Sequence, residues 1–371
     1  MSNWQCPVVE IPEIQKHPNA DKLGIVEVEG TKCIVSLADW KQGDKAVLIP
    51  IDSVVPLDRP EFAFLLKGNM GKTPGRIKAV LLRGIFSDGI LVPAPKGSKL
   101  GSDASDLLGI TKFEEEEPIE PQPKGWFQLF RRWISTKIFF FLRKLGIVKG
   151  NRPKRKSGRQ VFVLSNKSPR PIYGLDKYAK YKNILQTQEI IATEKLHGSN
   201  HFICNDKGKI YVGSHYTTGG TEVETVYVAV AKKYGLIEKM AKLPGFALYG
   251  EVLGVQDLRY GFTKEDPGYA AFDLYDIANR RYLDWDEFEA KCKELDIPIV
   301  PVVYEGSYLP SIIEEEVNGT PKKPKMSLLH PETLREGLVI KNRRTSLENL
   351  RVALKFVSES YLLRKNGTEH H

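Results

Sequence analysis

The chain has 371 residues, 41% hydrophobic and 27% charged, which is the make-up of a globular protein too long for one compact core. A net charge of +9 with a pI near 9.1 favours polyanionic partners, either nucleic acid or an anionic membrane surface. Cys6, Cys33, Cys204 and Cys292 lie far apart with no CxxC pair, so zinc spacing is absent and a disulfide framework is a poor fit; reduced thiols in the cytoplasm are expected. The opening MSNWQCPVVEIPE lacks the basic start and apolar stretch of a signal peptide.

Residues 1–110 read as strands. GIVEVEG, KCIVSL and KAVLIPI are short β-branched runs broken by Gly, Pro, Asn and Asp, a pattern that suits a small antiparallel β-barrel or sandwich. The acidic run 114–117 and the prolines at 118, 121 and 123 open a linker expected over 111–158. Within it, WFQLFRRWISTKIFFFLRKLGIVKG is aromatic and basic at helical spacing, with Arg131, Arg132, Lys137 and Arg143 too frequent for a membrane span. A linker helix over 126–148 that packs its apolar face on a domain is the first reading, and a peripheral membrane or partner helix the second. The basic run NRPKRKSGR follows. Residues 159–371 alternate strands and helices irregularly, as in an α+β domain, and a monomer without a stable membrane span is expected.

One constellation carries chemistry. Glu194-Lys195-Leu196-His197-Gly198-Ser199-Asn200 lies between the β-like runs QEIIAT and HFICN, so a lysine ends a strand at a glycine-containing turn. Such an amine can point into a pocket, but it attacks phosphorus only when unprotonated, which calls for cationic neighbours or a metal. KxxG alone describes many solvated surface lysines. Downstream, however, FALYGEVLG delivers Glu251, YAAFDLYDI carries Phe272 and Asp273, EGLVIK sets Glu336 and Lys341 at the ends of an apolar run, and VALKFV embeds Lys355. Charges placed within apolar strands are costly unless they are paired or used.

In this order the segments resemble motifs I, III, IIIa, IV and V of the covalent nucleotidyltransferases, which include DNA ligases, RNA ligases and capping enzymes. The resemblance spans residues 185–360, and the KxHG form of the first motif is closest to RNA ligases. It implies an α+β fold: an ATP-grasp-like domain of antiparallel sheets and helices at 159–371, preceded by an OB-like barrel that binds nucleic acid. It also implies ATP as the nucleotide, with Lys195 attacking the α-phosphorus to form lysyl-AMP. Lys341 and Lys355 would contact the phosphates and lower the Lys195 pKa. Glu251 and Glu336 would hold a hydrated Mg2+ or Mn2+ or the ribose hydroxyls. Phe272 would stack on adenine, although a plain core aromatic explains it nearly as well. The backbone at Glu194 would read the base edge, with Gly198 and Asn200 lining the nucleotide.

Two departures stand out. Where the family has an arginine on the strand after motif I, this chain has Ser214 and His215, and Val357 replaces the second lysine of motif V. Only sixteen residues follow Lys355, too few for the C-terminal OB domain of DNA ligases and capping enzymes. The extra mass lies in front, as in the Deinococcus-type nick-sealing RNA ligases, whose N-terminal module PGRIKAVLLRGIFSDGILVP also resembles. HPNADKLGIVEV is similar to the opening of tRNA-binding OB folds. The implied substrate is RNA, or a nicked RNA/DNA duplex, with 5′-phosphate and 3′-hydroxyl ends. A DNA ligase, a GTP-using capping enzyme, or a nucleic-acid-binding module with an inactive catalytic domain are the alternatives.

Overall fold

The β-branched runs of the N-terminal region become the strands Leu23–Val28, Thr31–Ser36 and Lys45–Pro50. The computed structural model describes residues 4–67, 75–113, 170–215, 217–222, 225–320, 323–345 and 351–364. The described residues belong to one compact unit. The linker helix expected over 126–148 and the basic run at 151–159 lie outside the described residues.

Thr31–Ser36 buries every second side chain, Thr31, Cys33 and Val35, as a half-covered strand should. Lys45–Pro50 is central, paired antiparallel with Val8–Glu10 on one side and Gly89–Pro93 on the other. It is therefore buried on both faces. Val47 and Ile49 join a core with Val8, Phe62, Val92 and Leu108, while Ala46 and Leu48 join Val26, Cys33, Val35 and Leu91. Thr111–Lys112 pairs with Ser53–Val54, and the Phe113 amide donates to the Asp52 carbonyl, which carries this domain past residue 110 to Phe113.

The C-terminal domain is built on two sheets. The five-stranded sheet runs Asp176–Lys177, Ala353–Val357, Gly337–Asn342, Glu189–Lys195, Val302–Ser307, antiparallel except for the first pair. The six-stranded sheet runs Thr218–Gly219, Lys209–Gly213, Ser199–Asp206, Phe246–Leu253, Gly268–Asp276, Arg281–Tyr282, antiparallel throughout. Helices Val226–Lys233 and Leu236–Ala241 cover one face of the larger sheet, with Val230, Leu236 and Met240 packed among Ile203, Leu248 and Leu274. Helix Pro310–Asn318 covers the smaller sheet through Ile313 and Val317 against Ile190, Leu338 and Ile340. No helix among the described residues is long and apolar enough to cross a membrane.

The two domains are tied beside the smaller sheet. Lys177 Nζ donates to Thr31 Oγ1 at 2.8 Å and to Asp88 Oδ2 at 3.1 Å, and Lys180 meets Glu29 at 2.5 Å. Ala79 and Phe86 pack with Leu334, Val357, Tyr361 and Leu362. All four cysteines are free and buried. Burial pushes the Cys6, Cys204 and Cys292 thiols up to about 12 and Cys33 further, so none is poised to react.

Candidate active site

The sequence from Lys195 to Ser199 is where the chain passes from one sheet to the other. Lys195 is the last residue of its strand in the smaller sheet, and Ser199 the first of its strand in the larger. Gly198 is required here, because a Cβ at this position would lie 2.1 Å from the Val252 carbonyl oxygen and 3.0 Å from Glu251 Cγ.

Strand register then sorts the charged residues. Lys195 pairs with Gly337, Thr193 with Val339, and Ile191 with Lys341, while Val339 also pairs with Lys355. Directly paired residues share a face and alternate residues return to it, so Lys195, Lys341 and Lys355 project from one face of the smaller sheet. On the larger sheet Asn200 pairs with Glu251 and Phe202 with Tyr249, which places these four on one face. The faces oppose each other, since Lys341 Nζ crosses to donate to the Phe272 carbonyl at 2.6 Å and to Asp273 Oδ2 at 3.0 Å.

Lys195 Nζ, at the mouth of the cleft, lies 2.5 Å from Glu336 Oε1, whose carboxylate is fully buried. Glu251 is packed against the Gly198 turn, and burial raises its pKa to about 8, with Lys195 pulling it back down and Glu336 pushing it further up. Lys355 is affected in the opposite direction: burial, reinforced by repulsion from Lys195, lowers it to about 8 despite Glu336. The Asn200 Oδ1 atom is buried without a hydrogen-bond partner. A carboxyl and an amine both disfavoured as charged groups, beside an unpartnered amide oxygen, make a polar cleft suited to a charged ligand. No cluster of three or more His, Cys, Asp or Glu that could hold a metal occurs among the described residues.

His197 is buried in the turn. Its Nε2 donates to Asp257 Oδ1 at 2.5 Å, and its Nδ1 lies 2.9 Å from Tyr361 Oη and 3.5 Å from Glu336 Oε2. Burial opposes charge on this ring, but the Asp257 and Glu336 carboxylates outweigh it and raise its pKa.

Lys341 makes contacts that the motif reading did not foresee. Lys341 was expected at the phosphates beside Lys195, but four residues along the strand separate it from that position, and its amine is engaged by Asp273. Burial lowers its pKa, and Asp273 partly offsets this. Glu194 was expected to serve through its backbone; its side chain faces away from the cleft, with Oε2 accepting from the Leu328 amide at 2.8 Å. Phe272 is half-buried at a bulge: the register slips between Tyr249 and Gly250, so that Asp273 and Ala271 find partners and Phe272 does not. Its ring leans on Tyr173, with centroids 4.7 Å apart and planes at 55°.

Three residues carry contacts that motif reading missed. Arg351 and Tyr173 both bond Asp273, and Tyr173 Oη donates at 2.7 Å. Burial opposes charge on Asp273, but Arg351 and Lys341 hold its carboxyl below the usual range. Arg170 donates to the Ser214 carbonyl at 3.2 Å, with its guanidinium 3.4 Å above the Phe202 ring. An arginine thus reaches the strand where the motif lacks one, supplied from outside that strand. A lone arginine between prolines gives no signal of this in the sequence.

A lysine in a two-sheet cleft bonded to a buried glutamate, behind a small β-barrel, defines the covalent nucleotidyltransferase class of polynucleotide-joining enzymes. Residues 188–357 match the RNA ligase family, and residues 6–94 match an OB-fold domain family. Among solved structures, a variant of Naegleria gruberi RNA ligase with ATP and Mn is 21% identical, with a TM-score of 0.73 over 97% of this chain and 98% of that one. A second variant with AMP and Mn gives 20% identity and 0.72 over 96% and 98%. The same ligase with pyrophosphate gives 22% and 0.71 over 96% and 97%. At these identities the likeness is one of fold. No curated protein sequence matches the chain.

Proposed function

We propose that the protein uses ATP to seal a 5′-phosphate to the 3′-hydroxyl of an RNA strand, at nicks in duplexes, through a lysyl-AMP intermediate on Lys195. The observation that carries this reading is the Lys195–Glu336 contact of 2.5 Å, in a cleft where Glu251 and Lys355 both have strongly shifted pKa values. Ligand sets in the Naegleria structures (ATP with Mn, AMP with Mn, and pyrophosphate) support the same nucleotide chemistry.

In the first step Lys195 Nζ bonds to the α-phosphorus of ATP while the bond to pyrophosphate breaks in line. Glu336 Oε1 is positioned to hold the proton that the amine must lose. Lys355 stabilises charge on the departing phosphates, and Phe272 offers a ring face to the base. Glu251 and Glu336 would hold the divalent ion, which neutralises phosphate charge when bound. AMP then passes from Lys195 to the oxygen of the 5′-phosphate, and attack by the 3′-hydroxyl joins the strands and releases AMP.

Incubation with α-labelled ATP should place label on the wild-type chain and none on Lys195→Ala. Label taken from GTP and not ATP would sink the ligase reading. Nicked duplexes with RNA or DNA on each side test the finer claim. Sealing should require RNA at the 3′-hydroxyl strand, and equal sealing of an all-DNA nick would remove that preference.

A further inference from the structure

Contacts from Ser358, Tyr361 and Arg364 converge on Glu336 and on the partners of His197. The Ser358 amide donates to the Glu336 carbonyl at 2.8 Å, and Ser358 Oγ donates to the Arg335 carbonyl at 3.1 Å, which fixes the backbone that presents the Glu336 carboxylate. Ser358 also caps the helix Glu359–Leu362, with its Oγ accepting from the Tyr361 amide. That cap sets the direction of the fully buried Tyr361, whose hydroxyl lies 2.9 Å from His197 Nδ1. Arg364 completes the assembly: its guanidinium lies 3.4 Å over the Tyr361 ring and bonds Asp257 Oδ2 at 3.1 Å, while Asp257 Oδ1 accepts from His197 Nε2.

Leu196, His197 and Gly198 belong to neither sheet, so ladder hydrogen bonds do not set the shape of the turn. It is held by the His197 amide, which donates to Tyr260 Oη at 2.8 Å, and by the two ring nitrogens. The same imidazole lies against Glu336, the carboxylate that bonds Lys195. A loosened His197 would remove one restraint on the turn and one on that carboxylate. Displacements on the order of 1 Å at a reacting amine are enough to slow attack by about a hundredfold.

Resting on the reading of Lys195 as the nucleophile, we infer that Tyr361 is a positioning residue for lysine adenylylation, acting through His197 on Glu336. Ser358, Tyr361 and Arg364 thus brace the site from beyond Lys355. The test is single-turnover formation of lysyl-AMP by the full chain at saturating ATP and Mg2+. Tyr361→Phe, which removes only the hydroxyl, should lower the rate constant about tenfold, the loss of roughly one hydrogen bond, and leave the apparent ATP affinity within about twofold. In a His197→Ala background the same change should cost nothing further, because the two act as one unit. Leu362→Ala, a packing change on the same helix, should lower the melting temperature without slowing adenylylation. A Tyr361→Phe enzyme with wild-type rate, or losses that multiply in the double variant, would overturn the inference. Absence of lysyl-AMP on the wild-type chain would instead bring down the functional reading beneath it.

Discussion

Glu251 is held in surroundings that oppose its charge, and the consequence can be measured without substrate. Its folded pKa of about 8 stands above the ordinary 4.5, chiefly through burial. Between those values the folded state keeps a proton that the unfolded state has lost, so this group's contribution to stability falls as pH rises through that window. Glu251→Gln removes the titration. In metal-free buffer the melting temperature of this variant relative to wild type should climb from pH 5 to pH 8.5, and an unchanging difference would contradict the shift. Lys341 shows the converse lesson at the same scale. The sequence marks it as a buried cation but is silent on its partner, and Asp273 reaches it first.

At the scale of elements, most strands of the catalytic domain were legible as apolar runs, because alternate burial leaves its period in the residues. The bulge at Phe272 was not, since it arises from the pairing of Phe246–Leu253 with Gly268–Asp276 and exists in neither strand alone. Being half-buried at a bulge favours a ring that serves a ligand over a pure core aromatic. Phe272→Leu should therefore weaken apparent ATP affinity in adenylylation about five- to tenfold, on the order of 1 kcal/mol for a lost aromatic face, with little change in melting. Melting lowered with ATP affinity intact would return the residue to the core. The C-terminal helix was equally unreadable in advance, being a four-residue element whose role depends on Ser358 and Tyr361 meeting distant partners.

Across the whole molecule, the N-terminal domain is fastened close to the cleft. Lys177, bonded to Thr31 and Asp88, sits on a strand paired in register with Lys355. This pair is partly exposed, so its worth is modest. Asp88→Asn should cost about 0.5–1 kcal/mol, seen as a fall of roughly 1 °C in melting temperature that shrinks in 1 M salt. A loss of the same size at all salt concentrations would mean that Asp88 acts through its hydrogen bond to the Lys32 amide and not through charge.

The sequence alone determined the two-part α+β architecture and its family, along with Lys195, Glu251, Glu336 and Lys355 as residues to follow, because motif order and strand periodicity are local and survive in one dimension. Tertiary structure alone decided which lysine faces which carboxylate, that Arg170 reaches Ser214, and that Tyr361 braces His197. Those choices depend on register between strands far apart in the chain, where a shift of one residue turns every side chain to the opposite face.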